Sequence, residues 1–187
     1  MSDARVPSIV IIPGLGGSGP EHWQSVWSAR MPGCSRVAQH DWDRPDRELW
    51  LQGLRHAIEG ARGPVVLVAH SLACALVAHA AQRWPALIAR AVRGALLVAP
   101  ADVDSPVHTP PETRGFAPIP LAHLPFTATV VASADDPYVT FARARALAAA
   151  WGADFVDAGA IGHINAASRL GDWPAGRRAL AALIDRT

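Results

Sequence analysis

The chain has 187 residues, half of them hydrophobic and 18% charged, with 17 basic and 16 acidic side chains for a formal net charge of +1. That length and composition suit one globular domain with a real core. The near-neutral balance argues against nucleic acid or an anionic membrane surface as partner. All the basic residues are Arg, and their scatter excludes a phosphate-binding stripe. Cys34 and Cys74 are too few for a disulfide framework, and no Cys/His cluster has metal-ligand spacing, so neither a metal nor an organic cofactor is expected.

The N-terminal apolar run is short, lacks a basic leader and a small-residue cleavage site, and passes into a glycine loop, so no signal peptide is expected. No apolar stretch reaches the roughly 18 residues of a membrane span, and a cytoplasmic protein is the expectation. Ser8–Ile12 reads as a strand buried on both faces. The loop Pro13–Gly19 follows, then a helix that could open at Pro20, with Trp23 and Trp27 on one face. Arg36–Gln39 is a weaker strand. Glu48–Ile58 is an amphipathic helix, with Leu51, Leu54 and Ile58 on one side. Val65–Ala69 is the strongest strand and feeds through His70-Ser71 into an Ala-rich helix, Leu72–Arg83, that stops near Trp84-Pro85. Ala95–Ala99 is another buried strand. Residues 100–125 hold seven prolines with little periodicity and read as a long surface excursion. Thr129–Ser133 is a strand, Tyr138–Trp151 a helix ended by Gly152, Asp154–Val156 a short strand, and Gly176–Ile184 a closing helix. Strands alternating with helices predict parallel βαβ units, a sheet covered on both faces and a single α/β domain over 1–187.

The chemistry centres on VVLVA-His70-Ser71-Leu72-Ala73. A nucleophile elbow needs a buried strand, a serine at a sharp turn and a helix after it, with small residues two before and two after the serine. Here those small residues are Ala69 and Ala73, where the usual pattern has glycine. The same string also suits a serine that merely caps the following helix. Partner residues follow in the order serine, acid, histidine, each just past a strand end. Asp135-Asp136-Pro137 follows the strand ending at Ser133, and Gly162-His163 follows the strand 154–156. His163 would take the Ser71 proton, and a carboxylate on its other nitrogen would fix its tautomer. Asp136 is preferred over Asp135 because it precedes a proline and because one of two adjacent side chains usually points outward. Asp102, Asp104 and Asp157 are rivals, each with a plain reading as a turn or cap residue. The oxyanion donors expected are the backbone N–H groups of Leu72 and of Leu15 in the first loop. That loop lacks the Lys of a P-loop and the register of a dinucleotide fingerprint.

Gly14, His22 and Trp23 are candidates to line the pocket; a surface role suits His22 about as well, and the other tryptophans read as packing residues. His70 reads as structural beside the elbow. Cys74 reads as a small buried hydrophobe. The remaining histidines have no ligand spacing.

The segments Pro13–Gly17, Pro20-Glu21-His22-Trp23-Gln24 with Trp27, Ala69–Ala73, Ser133–Val139 and Gly162-His163-Ile164-Asn165 resemble those of the retinoblastoma-binding-protein-9-like serine hydrolases, compact α/β-hydrolases with a minimal lid. The resemblance runs over nearly the whole chain, most specifically in the HWQ and GHIN segments. It implies Ser71, Asp136 and His163 as the triad and poorly defined substrates. The L-x-C-x-E docking pattern is not met, since Leu72-Ala73-Cys74-Ala75 is followed by Leu76, and no protein partner is indicated. The expectation is an α/β-hydrolase fold with a mostly parallel sheet of about six strands. Its function would be hydrolysis of small ester, thioester or amide substrates through an acyl-serine, with residues 100–125 as a short cover. Alternatives are another chemistry on the same fold, such as an aminopeptidase, lyase or cofactor-free peroxidase, and a non-catalytic interaction module.

Overall fold

The computed structural model describes residues 7–187. Six strands, β1 (Ser8–Ile12), β2 (Cys34–Arg36), β3 (Val65–His70), β4 (Val92–Val98), β5 (Thr127–Ala132) and β6 (Asp154–Asp157), form one sheet in the order β2-β1-β3-β4-β5-β6. Every pairing is parallel. The helices are α1 (Trp23–Arg30), α2 (Arg47–Glu59), α3 (Leu72–Arg83), α4 (Pro85–Ala91), α5 (Phe141–Trp151) and α6 (Pro174–Ile184).

The continuous apolar runs of β1, β3 and β4 have a simple cause: helices cover both faces of the sheet, so both sets of alternating side chains must be apolar. Val10, Ile12, Leu67, Ala69, Ala95 and Leu97 pack with α2, α3 and α5 in the larger core, where Trp50, Leu54, Leu76 and Trp151 are fully buried or nearly so. Ile9, Ile11, Val66, Val68, Leu96 and Val98 pack on the other side against Trp23 and Trp27 of α1 and Leu180 and Leu183 of α6.

Sequence boundaries shift where capping decides them. α1 begins at Trp23 rather than at Pro20, because the His22 ring accepts the Gln24 N–H and closes the first turn. The weak strand lies at 34–36 instead of 36–39. Helix α5 waits for the Thr140 cap, and α6 starts two residues earlier than expected, at Pro174. Helix α4 was not anticipated: Pro85 ends α3 but also occupies the first position of a new helix, where its missing N–H costs nothing. The expected surface excursion at 100–125 is packed down. Val103, Phe116, Ile119 and Leu124 are buried, and Pro111–Phe116 forms a 3₁₀ turn. His79 on α3 meets the Phe116 carbonyl at 2.7 Å, and the Trp151 indole donates to the Pro120 carbonyl at 2.8 Å.

The register of the sheet brings the C-terminal ends of β1, β3 and β4 level: Ile12 pairs with Ala69, and His70 with Val98. The loops leaving these ends, and those leaving β5 and β6, therefore gather at one edge.

Candidate active site

Ser71 sits between β3 and α3 with φ 59° and ψ −123°, a backbone conformation a non-glycine residue rarely adopts. Such strain costs on the order of 1–3 kcal/mol and persists only where neighbours impose it. Here the Ser71 N–H donates to the Val98 carbonyl at 2.9 Å, and Ala69 and Ala73 are wholly buried. The side chain makes no capping bond to α3, which sets aside the helix-cap reading. Its Oγ lies 2.8 Å from Nε2 of His163.

His163 Nδ1 stands 2.8 and 2.9 Å from the two carboxylate oxygens of Asp136. A carboxylate can only accept, so Nδ1 carries the proton and donates, and Nε2 is left to accept from the Ser71 hydroxyl. The Asp136 side chain is fully buried, and one of its oxygens also accepts the Tyr138 N–H at 2.8 Å. The rival acids are otherwise engaged. Asp102 and Asp104 pair with Arg143 at 3.2 and 2.6 Å. Asp157 accepts the Gly159 N–H at 2.8 Å, and Asp135 faces away from the imidazole.

The loop that carries His163 is held by side chains from distant parts of the chain and by Ser168 close by. Ser133 accepts the Ile161 N–H at 2.9 Å, Asp135 accepts the Gly162 N–H at 2.7 Å, and Ser168 donates to the Ile161 carbonyl at 2.6 Å. The Trp23 indole donates to the Ile164 carbonyl at 2.7 Å, and His70 Nε2 lies 2.9 Å from the His163 carbonyl. A carbonyl only accepts, so His70 holds its proton on Nε2.

A cleft of about 300 Å³ opens over Ser71. Leu15 and Leu72 line it, each as the first residue of a helical turn whose N–H has no partner within that turn. Gly14 is not in the lining but brings the two together: a Cβ built there would lie 2.9 Å from Ser71 Cβ and 3.3 Å from the Leu72 nitrogen. His22 does reach the cleft. Trp23 does not; it is a correction to the sequence reading, since the indole is buried beneath the site against Trp27 and Trp173. Sequence reasoning missed Tyr138, whose ring lies 4.4 Å from that of His163 in the cleft wall, and Asn165, Thr109 and Thr113, which also line it. The motifs offered a signal only for Tyr138 and Asn165, which fall inside them. It also missed Gln24, whose amide donates to the Ile12 and Val68 carbonyls at 3.1 Å each and so ties the ends of β1 and β3.

The electrostatics favour neutral imidazoles around the pair. Burial, then the neighbouring His163 and Arg36, lowers His22 to about 4, and burial pushes His70 well below the usual histidine range. Burial raises the Cys74 thiol, which leaves it protonated beside the elbow.

Residues 9–182 match the serine hydrolase family. The chain belongs to that family. Among solved structures, this serine hydrolase is similar to a YdeN-like hydrolase from Pectobacterium atrosepticum, with 32% identity and a TM-score of 0.84 over 96% of this chain and 91% of that one. It is also similar to the ydeN gene product of B. subtilis, at 19% identity and a TM-score of 0.74 over 96% and 100% of the two chains. The type II thioesterase BorB of the borrelidin cluster shares the fold, at 20% identity and a TM-score of 0.66 over 97% and 94%. The six-stranded parallel sheet of this hydrolase is an α/β-hydrolase sheet. No curated protein sequence matches the chain. Among the described residues, no helix is long and apolar enough to cross a membrane.

Proposed function

We propose that the protein hydrolyses small, uncharged carboxylic esters or thioesters through an acyl-enzyme on Ser71. The observation that carries this reading is the strained Ser71 with its hydroxyl 2.8 Å from an imidazole whose other nitrogen faces a buried carboxylate. In the mechanism, Ser71 Oγ attacks the acyl carbon while His163 Nε2 takes its proton, and Asp136 stabilises the imidazolium. The N–H groups of Leu15 and Leu72 receive the oxyanion. His163 then protonates the leaving alkoxide or thiolate, and a water activated by the same nitrogen releases the acid.

The choice of substrate rests on the cleft lining. Among the described residues, no Arg, Asp or Glu side chain lines it. An aminopeptidase needs an anion to hold the substrate ammonium, and a carboxylate-bearing substrate needs a cation. Ester and thioester cleavage of neutral acyl groups fits the lining better than either. The HWQ and GHIN segments support placing the chain in the retinoblastoma-binding-protein-9-like branch of the family. The two cores on one sheet support a single domain, and the free Cys34 and Cys74 fit the reducing cytoplasm.

The test is labelling with a fluorophosphonate probe beside Ser71→Ala. Stoichiometric labelling that vanishes in the variant is expected. Absence of labelling in folded wild-type protein would sink the hydrolase reading in favour of an interaction module.

A further inference from the structure

The two adjacent acids after β5 do different things. Asp136 turns inward to His163. Asp135 turns outward, and its Oδ1 accepts two bonds: the Ser133 hydroxyl at 2.7 Å and the Gly162 N–H at 2.7 Å. The Ser133 hydroxyl, on a wholly buried residue, in turn accepts the Ile161 N–H at 2.9 Å. The amides so captured are those of the two residues immediately before His163. Their acceptors stand 27 and 28 residues away in the chain, so this is no local turn. The captured stretch includes Gly162, at φ +65°, which without restraint has more backbone freedom than any other residue type.

We infer that Ser133 and Asp135 form a latch that fixes the backbone ahead of His163, which makes Asp135 a positioning residue for the reaction proposed above. The inference rests on that reading for its kinetic consequence and on the hydrogen bonds alone for its structural one. The end of β5 then sets both partners of the imidazole: the carboxylate it bonds, through Asp136, and the place from which it reaches Ser71, through Asp135. A shared frame matters because displacement of a reacting group by about 1 Å can cost on the order of 100-fold in rate. Asp135 is exposed, so truncating it opens no core cavity. It does take the acceptor from the buried Ser133 hydroxyl, which an asparagine restores, so the Asn variant separates fold stability from loop position.

Three proteins test this: wild type, Asp135→Ala and Asp135→Asn, each followed by fluorophosphonate inactivation and by hydrogen exchange at the Gly162 amide. Asparagine keeps an Oδ1 acceptor in the same place. Asp135→Ala is expected to lower the maximal inactivation rate by roughly tenfold or more with the half-saturating probe concentration unchanged. Its thermal midpoint should fall by no more than about 4 °C, and Gly162 should exchange faster. Asp135→Asn should restore most of the rate and the protection. Equal rates for wild type and Asp135→Ala, or an Asn variant as slow as Ala, would overturn the inference. If wild type itself does not label, the hydrolase reading fails separately, and the Gly162 exchange still decides whether the latch exists.

Discussion

At the scale of single residues, three side chains and one torsion angle define what this site can do. Ser71 is held at positive φ with its hydroxyl free of the helix it precedes, and His163 is oriented by a carboxylate from which water is excluded. Replacing Asp136 by Asn would place an amide where only an acceptor serves, favouring the wrong imidazole tautomer. Turnover of a short-chain p-nitrophenyl ester is expected to fall by about 10⁴-fold with the circular dichroism spectrum unchanged. A loss below tenfold would mean that another acid, with Asp102 the first to examine, supports the histidine. The order of serine, acid and histidine along the chain was legible because each follows a strand end. The choice of Asp136 over Asp135 was legible from the following proline and the opposite directions of adjacent side chains. The role of Trp23 was not legible, because helical spacing places Trp23 and Trp27 on one face without saying whether that face meets the cleft or the core.

Elements matter here through how closely they approach. The first loop packs against the elbow only because Gly14 has no Cβ; an added one would sit 2.9 Å from both Ser71 Cβ and the His70 carbonyl. Gly14 has φ −85°, so Gly14→Ala carries no torsional cost and its effect is purely one of contact. That variant is expected to push the Leu15 N–H away from Leu72 and lower kcat by roughly 10²-fold, as for a lost oxyanion donor, while ester KM changes little. An unchanged kcat would remove Leu15 from the proposed donor pair. Sequence periodicity located β1, β3, α2 and α3 to within a residue or two because each is strongly patterned. It missed α4 because proline at 85 has two opposite meanings, a stop for one helix and a start for the next. It read 100–125 as a surface excursion and missed its buried anchors, because irregular backbone buries side chains without any period. Arg114, which bonds the carbonyls of Val103 and Thr109 from within that segment, had no signature in the sequence.

For the molecule as a whole, the site rests on histidines that the fold keeps neutral. An unfolded histidine takes up its proton near pH 6.5, whereas His22 in the folded chain resists until about 4, and His70 is displaced in the same direction. Below pH 6.5 the unfolded chain therefore binds more protons than the native one. This contribution to stability is complete above that pH and is lost as the pH falls toward 4. The thermal midpoint is expected to be flat from pH 8 to 7 and to drop between pH 6.5 and 4.5. The drop should be smaller for His22→Gln than for wild type. Parallel profiles for the two proteins would show that His22 is not the source.

The sequence by itself determined the layered α/β architecture, the elbow and the chain order of its chemical groups. Apolar period, turn residues and strand–helix alternation are local properties, and they impose a parallel sheet whose loops must meet at one edge. Tertiary structure alone decided which side chains tie down the backbone ahead of His163, which tryptophan supports the loop from below and how tightly residues 100–125 close over Ser71. Each of these is a contact across dozens of residues, fixed by the register of parallel strands and by which buried polar groups must find partners, and neither quantity is written in any local stretch of the chain.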